Sequence, residues 1–122
     1  MTAGKAAEHK EIKDMALLNE KQIKEITGVY PFHSQNDKGG DAVAVFRFVF
    51  GAYEWYAIEG EHDNGNIRFY GMANLGDTEL GYFSLNELER IGASLDESFT
   101  PTCLKNLKGE HLQECLRNAG VI

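Results

Sequence analysis

The spacing of apolar positions changes several times along this chain, and each change marks an element. Between Asn19 and Thr27, Ile23 and Ile26 point one way at helical spacing. Asn19 is a good N-cap, Gln22 completes a capping box, and Leu18 with Ile23 forms the apolar staple across it. Gly28 is the expected C-terminal residue of that helix. Pro31 to Asp41 is a polar loop ending in Lys38-Gly39-Gly40-Asp41. From Ala42 to Phe50 the period shortens to two. Ala44, Phe46, Phe48 and Phe50 share one face, and Val43, Val45, Arg47 and Val49 share the other. Both faces are largely apolar, so the pattern predicts a central strand.

Gly51-Ala52 turns the chain into a second strand, Tyr53 to Glu59. Asn64-Gly65, a strong hairpin signal, leads to a third at Ile67 to Ala73, and a fourth covers Glu79 to Phe83. The short links favour antiparallel neighbours. Ser84-Leu85-Asn86-Glu87 is a second capping box with Phe83 and Leu88 as its staple, and Gly92 closes the helix. Thr100-Pro101 marks another ordered start. Leu112, Cys115, Leu116 and Ala119 then recur at helical spacing up to Gly120. The fold expected is therefore α+β: a four-stranded antiparallel meander with an N-terminal helix and two or three short helices packed on one face. Residues 1–14 are small, charged and weakly patterned, and read as a flexible leader or helix extension. Residues 15–122 form the single domain.

Composition narrows the function classes. A chain of 122 residues with 43% apolar content has room for one core without staples. No apolar run approaches the roughly 20 residues needed to cross a bilayer, and the first residues lack a secretory apolar stretch, so a cytoplasmic protein is expected. Two cysteines, Cys103 and Cys115, are too few for a disulfide framework. The net charge of −7 is uneven. Between residues 61 and 99, Glu61, Asp63, Asp77, Glu79, Glu87, Glu89, Asp96 and Glu97 face only Arg68 and Arg90. Such a field repels phosphate backbones and attracts basic proteins, so direct nucleic-acid binding is not expected.

Several constellations carry chemistry on paper. The hairpin Glu59, Glu61, His62 and Asp63 offers oxygens and an imidazole for a divalent metal or an acid-base pair, or else is a solvated turn. His111 and Cys115 stand one helical turn apart, as two zinc ligands would, but a tetrahedral site needs four; Cys115 is equally a core residue beside Leu112 and Leu116. Ser84 is the best-placed hydroxyl, and its cap already explains it. Gly71, Gly76 and Gly81 lack the lysine and spacing of a phosphate loop. The aromatic residues on the strands are core, or else Trp55, Tyr53, Tyr56, Tyr70 and Tyr82 line an exposed face as interface anchors. No catalytic set converges, and no cofactor or metal is expected.

Trp55-Tyr56-Ala57, Glu59-Gly60, Arg68-Phe69-Tyr70-Gly71 and the run Glu79-Leu80-Gly81-Tyr82-Phe83-Ser84-Leu85-Asn86-Glu87-Leu88-Glu89 resemble domain-of-unknown-function family 2958. The resemblance runs from Met15 to about Pro101, and residues 1–14 and the tail after Leu107 depart from it. Its members are small proteins of bacteria and their plasmids, phages and conjugative elements. The resemblance implies a mobile-element accessory protein, in its sharpest form an anti-defence inhibitor of the anti-CRISPR kind, and it supplies no activity to carry over. The expected function is a non-enzymatic protein-binding module. Its partner surface is expected at Glu59, Glu61, His62, Asp63, Asp77, Glu79, Trp55, Tyr56 and Tyr70, and its partner is a protein, such as a basic nucleic-acid-binding component of a defence system. The alternatives are a small enzyme or ligand-binding domain using the Glu59–Asp63 carboxylates, and a structural homodimer.

Overall fold

The computed structural model describes residues 17–122; the leader expected over residues 1–14 lies outside them. The first helix, α1 (Glu20–Val29), starts as its sequence dictates. Asn19 Oδ1 accepts the Gln22 N–H at 2.8 Å while Gln22 Oε1 accepts the Asn19 N–H at 2.9 Å, the reciprocal capping box. Its end differs from expectation: the helix runs through Gly28 to Val29 and closes with the Tyr30 N–H on the Ile26 carbonyl.

The apolar stretch expected as one strand is two, β1 (Val43–Ala44) and β2 (Phe46–Phe50), separated at Val45. The break changes which side the residues face. Ala44 joins one core cluster, whereas Val45, Phe46 and Phe48 join the other. β3 (Tyr53–Asp63), β4 (Asn66–Asn74) and β5 (Thr78–Ser84) complete the expected meander. Asn64 and Gly65 both take positive φ, 50° and 83°, the pair of conformations a I′ hairpin turn requires. After β5, Ser84 Oγ caps α2 (Leu85–Ile91) by accepting the Glu87 N–H, and Gly92 closes it in the left-handed region.

Two further strands were invisible to local pattern. β6 (Ser94–Leu95) adds a fifth strand beside β2, giving the antiparallel order β5-β4-β3-β2-β6. β7 (Thr102–Cys103) pairs with β1 in a separate two-stranded ribbon, where an ordered start at Thr100-Pro101 was expected. The last helix is α3 (Glu110–Asn118), with Leu112 and Leu116 buried as their spacing requires.

The layering also corrects the expectation of helices on one face. α1 and α2 cover one face of the sheet, where Ile23, Ile26, Leu85 and Leu88 meet Phe48, Trp55, Phe69 and Phe83. Adjacent rings of Phe46, Phe48, Phe69 and Phe83 lie 5.4–6.3 Å apart along it. On the opposite face α3 and the 3-10 turn at Leu104–Asn106 bring Leu104, Leu107, Leu112 and Leu116 onto Tyr56, Ile58 and Met72. Both faces of β3 are therefore buried from Glu54 to Gly60, and Trp55 to Ile58 is an unbroken apolar run.

Candidate functional site

β3 carries an irregularity that shapes the α3 side of the sheet. Its register with β4 slips between Ala57 and Glu59, so Ile58 is an extra residue. Gly71, opposite Ala57, is a geometric necessity here: a Cβ on it would lie 1.8 Å from the Tyr56 carbonyl oxygen. The slip leaves Ile58 and Glu59 lining one cavity of about 270 Å³, together with Gln35, Tyr70, Leu80 and Val121.

The loop from Pro31 to Asp41 roofs that cavity, and two side chains pin it. Glu59 accepts the His33 N–H at 3.0 Å on Oε1 and the Gln35 N–H at 2.9 Å on Oε2. The Gln35 amide works in the other direction. Its Nε2 donates to the carbonyls of Val43 and Ile58, both at 2.9 Å, and its Oε1 accepts the Val43 N–H at 2.6 Å. Gln35 thus replaces a strand neighbour for β1 where the bulge has interrupted the ladder, and it is buried as a result.

The acidic hairpin stands apart from this cavity. The last register pair between β2 and β3 is Phe46 with Ala57, and the last between β4 and β5 is Arg68 with Ser84. Among the described residues, the β3–β4 pair beyond them has no further strand beside it and forms an arm. Asp63 is exposed near its tip, His62 is exposed with Nε2 at 3.5 Å from Thr27 Oγ1, and Glu61 is half-buried opposite Arg68. Along one side of the arm, from its tip to its base, Asp63, Asn66, Arg68, Tyr82 and Glu87 border an open depression of about 330 Å³. Tyr82 is 54% exposed there, with the Arg68 guanidinium 4.4 Å above its ring and the rings of Tyr70 and Phe32 at 5.3 and 5.5 Å.

A second polar cluster lies at the far end of β3, and the sequence reading missed it. Glu54 Oε1 accepts from Tyr56 Oη at 2.7 Å and from Arg47 Nη2 and Nε at 3.0 and 3.1 Å. Glu54 Oε2 accepts from Asn74 Nδ2 at 3.0 Å and lies 2.9 Å from His111 Nε2. Arg47 Nη1 reaches on to Asp96 Oδ2 at 2.8 Å. Burial works to raise the Glu54 pKa, but the bonds from Asn74, His111, Tyr56 and Arg47 prevail and hold it at about 2. Burial, reinforced by the bond to Glu54, pushes Tyr56 up to about 12. Burial opposes the Arg47 charge, yet Asp96, Tyr56 and Glu54 raise its pKa above the ordinary value. The cluster joins β2, β3, β4, α3 and the segment after β6, and its hydrogen bonds are closed on one another. Part of it was legible, because a two-residue turn at Gly51-Ala52 sets Arg47 diagonally across from Glu54. His111 is 57 residues from Glu54 and gave no local signal.

The nine residues expected to meet a partner are thus divided. Glu61, His62 and Asp63 lie together on the arm. Asp77 sits in the β4–β5 turn at the opposite end of the sheet, its carbonyl accepting the Leu75 N–H, and Glu79 is exposed on β5. Glu59 and Tyr70 face each other across the cavity strands. Trp55 and Tyr56 are buried on opposite faces of β3, so neither is a surface anchor. Tyr82 and Arg68 are exposed instead, in a ridge that the half-buried Phe32 and Tyr70 rings back. Cys115 is half-buried, and burial with Glu79 nearby pushes its thiol up, against the habit of a nucleophilic cysteine. Among the described residues no group of three or more His, Cys, Asp or Glu side chains is placed to hold a metal ion.

Residues 14–100 match the model of a family described as "Protein of unknown function (DUF2958)". No curated protein and no solved structure matches the chain.

Proposed function

This chain belongs to the DUF2958 family, and we propose that it is a non-enzymatic protein-binding module whose contact surface is the β3–β4 arm with the aromatic ridge at its base. One observation carries the reading: Tyr82 stands exposed, stacked under Arg68, in a depression bordered by Asp63 and Glu87. Tyrosine and arginine at the centre of a patch with a charged rim is the composition of an interface hot spot. Glu61, Asp63 and Glu87 give the rim an acidic sign, which steers a basic partner. The finer reading is an accessory protein of a mobile element that occupies the positive surface of a nucleic-acid-binding defence protein, as an anti-CRISPR inhibitor would.

Immobilised protein exposed to host lysate tests this. The wild type is expected to retain a stoichiometric protein at about 0.05 M salt and to release it towards about 0.5 M, as exposed charges are screened. Glu61→Lys with Asp63→Lys is expected to abolish capture, and Tyr82→Ala to weaken the isolated complex about tenfold. Capture indifferent to salt and to these changes removes the acidic-surface mechanism. No captured protein at either salt removes the module.

A further inference from the structure

The cavity roofed by the Pro31–Asp41 loop has an electrostatic character that protein binding on the arm does not use. Glu59 is 4% exposed, and among the described residues no lysine, arginine or histidine forms an ion pair with it. Its two hydrogen bonds come from neutral backbone N–H groups. Such bonds solvate a carboxylate without neutralising it, and a buried charge left in that state favours a counter-cation. Among the described residues, Glu59 is the one carboxyl group lining the cavity, and no basic side chain lines it.

Two other features point the same way. Ala119, Gly120 and Val121, directly following α3, line the cavity, so the helix presents its C-terminal end there, the end carrying roughly half a negative charge. Tyr70, the direct cross-strand partner of Glu59, also lines it, and its hydroxyl has no hydrogen-bond partner among the described residues. Burial, with Tyr82, Glu59 and Cys115 nearby, raises the Tyr70 pKa, which keeps the hydroxyl protonated. Gln35 and Asn36 add amides to the wall, and Ala42, Ile58, Leu80 and Leu104 supply its apolar part. A volume of about 270 Å³ corresponds to roughly nine waters at about 30 Å³ each, the size of a ligand of about ten non-hydrogen atoms.

We propose that this cavity binds a small primary ammonium compound, with the charged nitrogen between Glu59 and Tyr70 and an apolar body against Ile58, Leu80 and Leu104. A compact ammonium with three donors suits a cavity lined by a carboxylate, a phenol and the Asn36 side chain, because each Glu59 oxygen, holding one backbone N–H, still has a lone pair to accept.

Phenethylammonium chloride is the probe, with 2-phenylethanol and 3-phenylpropionate as neutral and anionic controls of similar shape. Each is titrated into isotopically labelled protein while backbone amide resonances are followed. Saturable shifts are expected at Gly39, Tyr70 and Ala119 to Val121 with the ammonium, at least about tenfold tighter than with the alcohol, and none with the carboxylate. Leu80→Trp, which fills the cavity and leaves the Glu59 bonds in place, is expected to abolish the shifts. Glu61→Lys with Asp63→Lys is expected to leave them unchanged, so loss of the arm and loss of this site are separable. Equal affinity for alcohol and ammonium, no saturable shifts at those amides, shifts confined to the acidic arm, or binding retained in Leu80→Trp would each overturn the assignment.

Discussion

Gly71 shows how one residue can be fixed by a neighbour that its own surroundings in sequence do not reveal. A Cβ there would sit 1.8 Å from the Tyr56 carbonyl oxygen, and backbone has nowhere to retreat inside a paired strand. Gly71→Ala is therefore expected to destabilise by about 3 kcal/mol or more, read as a lower urea midpoint, whereas Gly81→Ala, with open space at the same point of β5, should shift it by less than about 1 kcal/mol. Sequence reading placed both glycines on strands and treated them alike, because the difference arises from the slip at Ile58. The same limit applied to the Glu54 cluster. Arg47 and Glu54 are readable as a cross-strand pair, but Asn74, Asp96 and His111 arrive from three separate elements. Glu59 was legible as a carboxylate of interest and misread as exposed, since nothing local says that a loop 24 residues earlier folds over it.

At the scale of elements, what was legible is what local chemistry decides. Both capped helices begin where their Asn19 and Ser84 signals put them, and the Asn64-Gly65 hairpin closes as its residues demand. β6 and β7 are two residues each and have no period to read; their partners, β2 and β1, define them. The Pro31–Asp41 loop reads as polar and solvated, yet its geometry depends on one amide. Gln35→Ala deletes three hydrogen bonds and leaves the Val43 N–H and carbonyl and the Ile58 carbonyl without that partner. The expected cost is about 2–3 kcal/mol, confined to this region. Hydrogen exchange should quicken at Ser34 to Val43 while amides of the β3–β4 core keep their protection.

Over the whole molecule, the arrangement of layers was beyond the pattern, because a short amphipathic helix does not say which sheet face it will cover. α3 took the face opposite α1 and α2, and in doing so brought His111 to Glu54 and its own C-terminal end to Glu59. The charge balance of the assembled molecule makes stability depend on pH at both extremes. Glu54 sits at about 2 in the fold against 4.5 when free, and Asp96 is lowered by its bonds to Ser98 and Arg47. Their contribution is complete above about pH 4.5 and is lost as pH falls towards 2. Tyr56, raised from 10 to about 12, stabilises fully below pH 10, and that part is lost as pH rises through 12. Urea midpoints measured across pH should fall in both windows, and Glu54→Gln should flatten the acid limb.

Gln35 and Glu59 have a consequence for the order in which the chain assembles. Their bonds span 8 to 26 residues, and every one ends on β1 or β3. The loop has no periodic apolar face with which to form earlier, so it waits for its template. In refolding, the sheet is expected to form first and the roof late, so that Gln35→Ala speeds unfolding and leaves the folding rate unchanged in a chevron measurement. A chamber that closes last on the way in is also the first to open on the way out. A ligand bound in the proposed Glu59 site is thus expected to leave by brief local opening of the loop while the two cores beneath it stay folded.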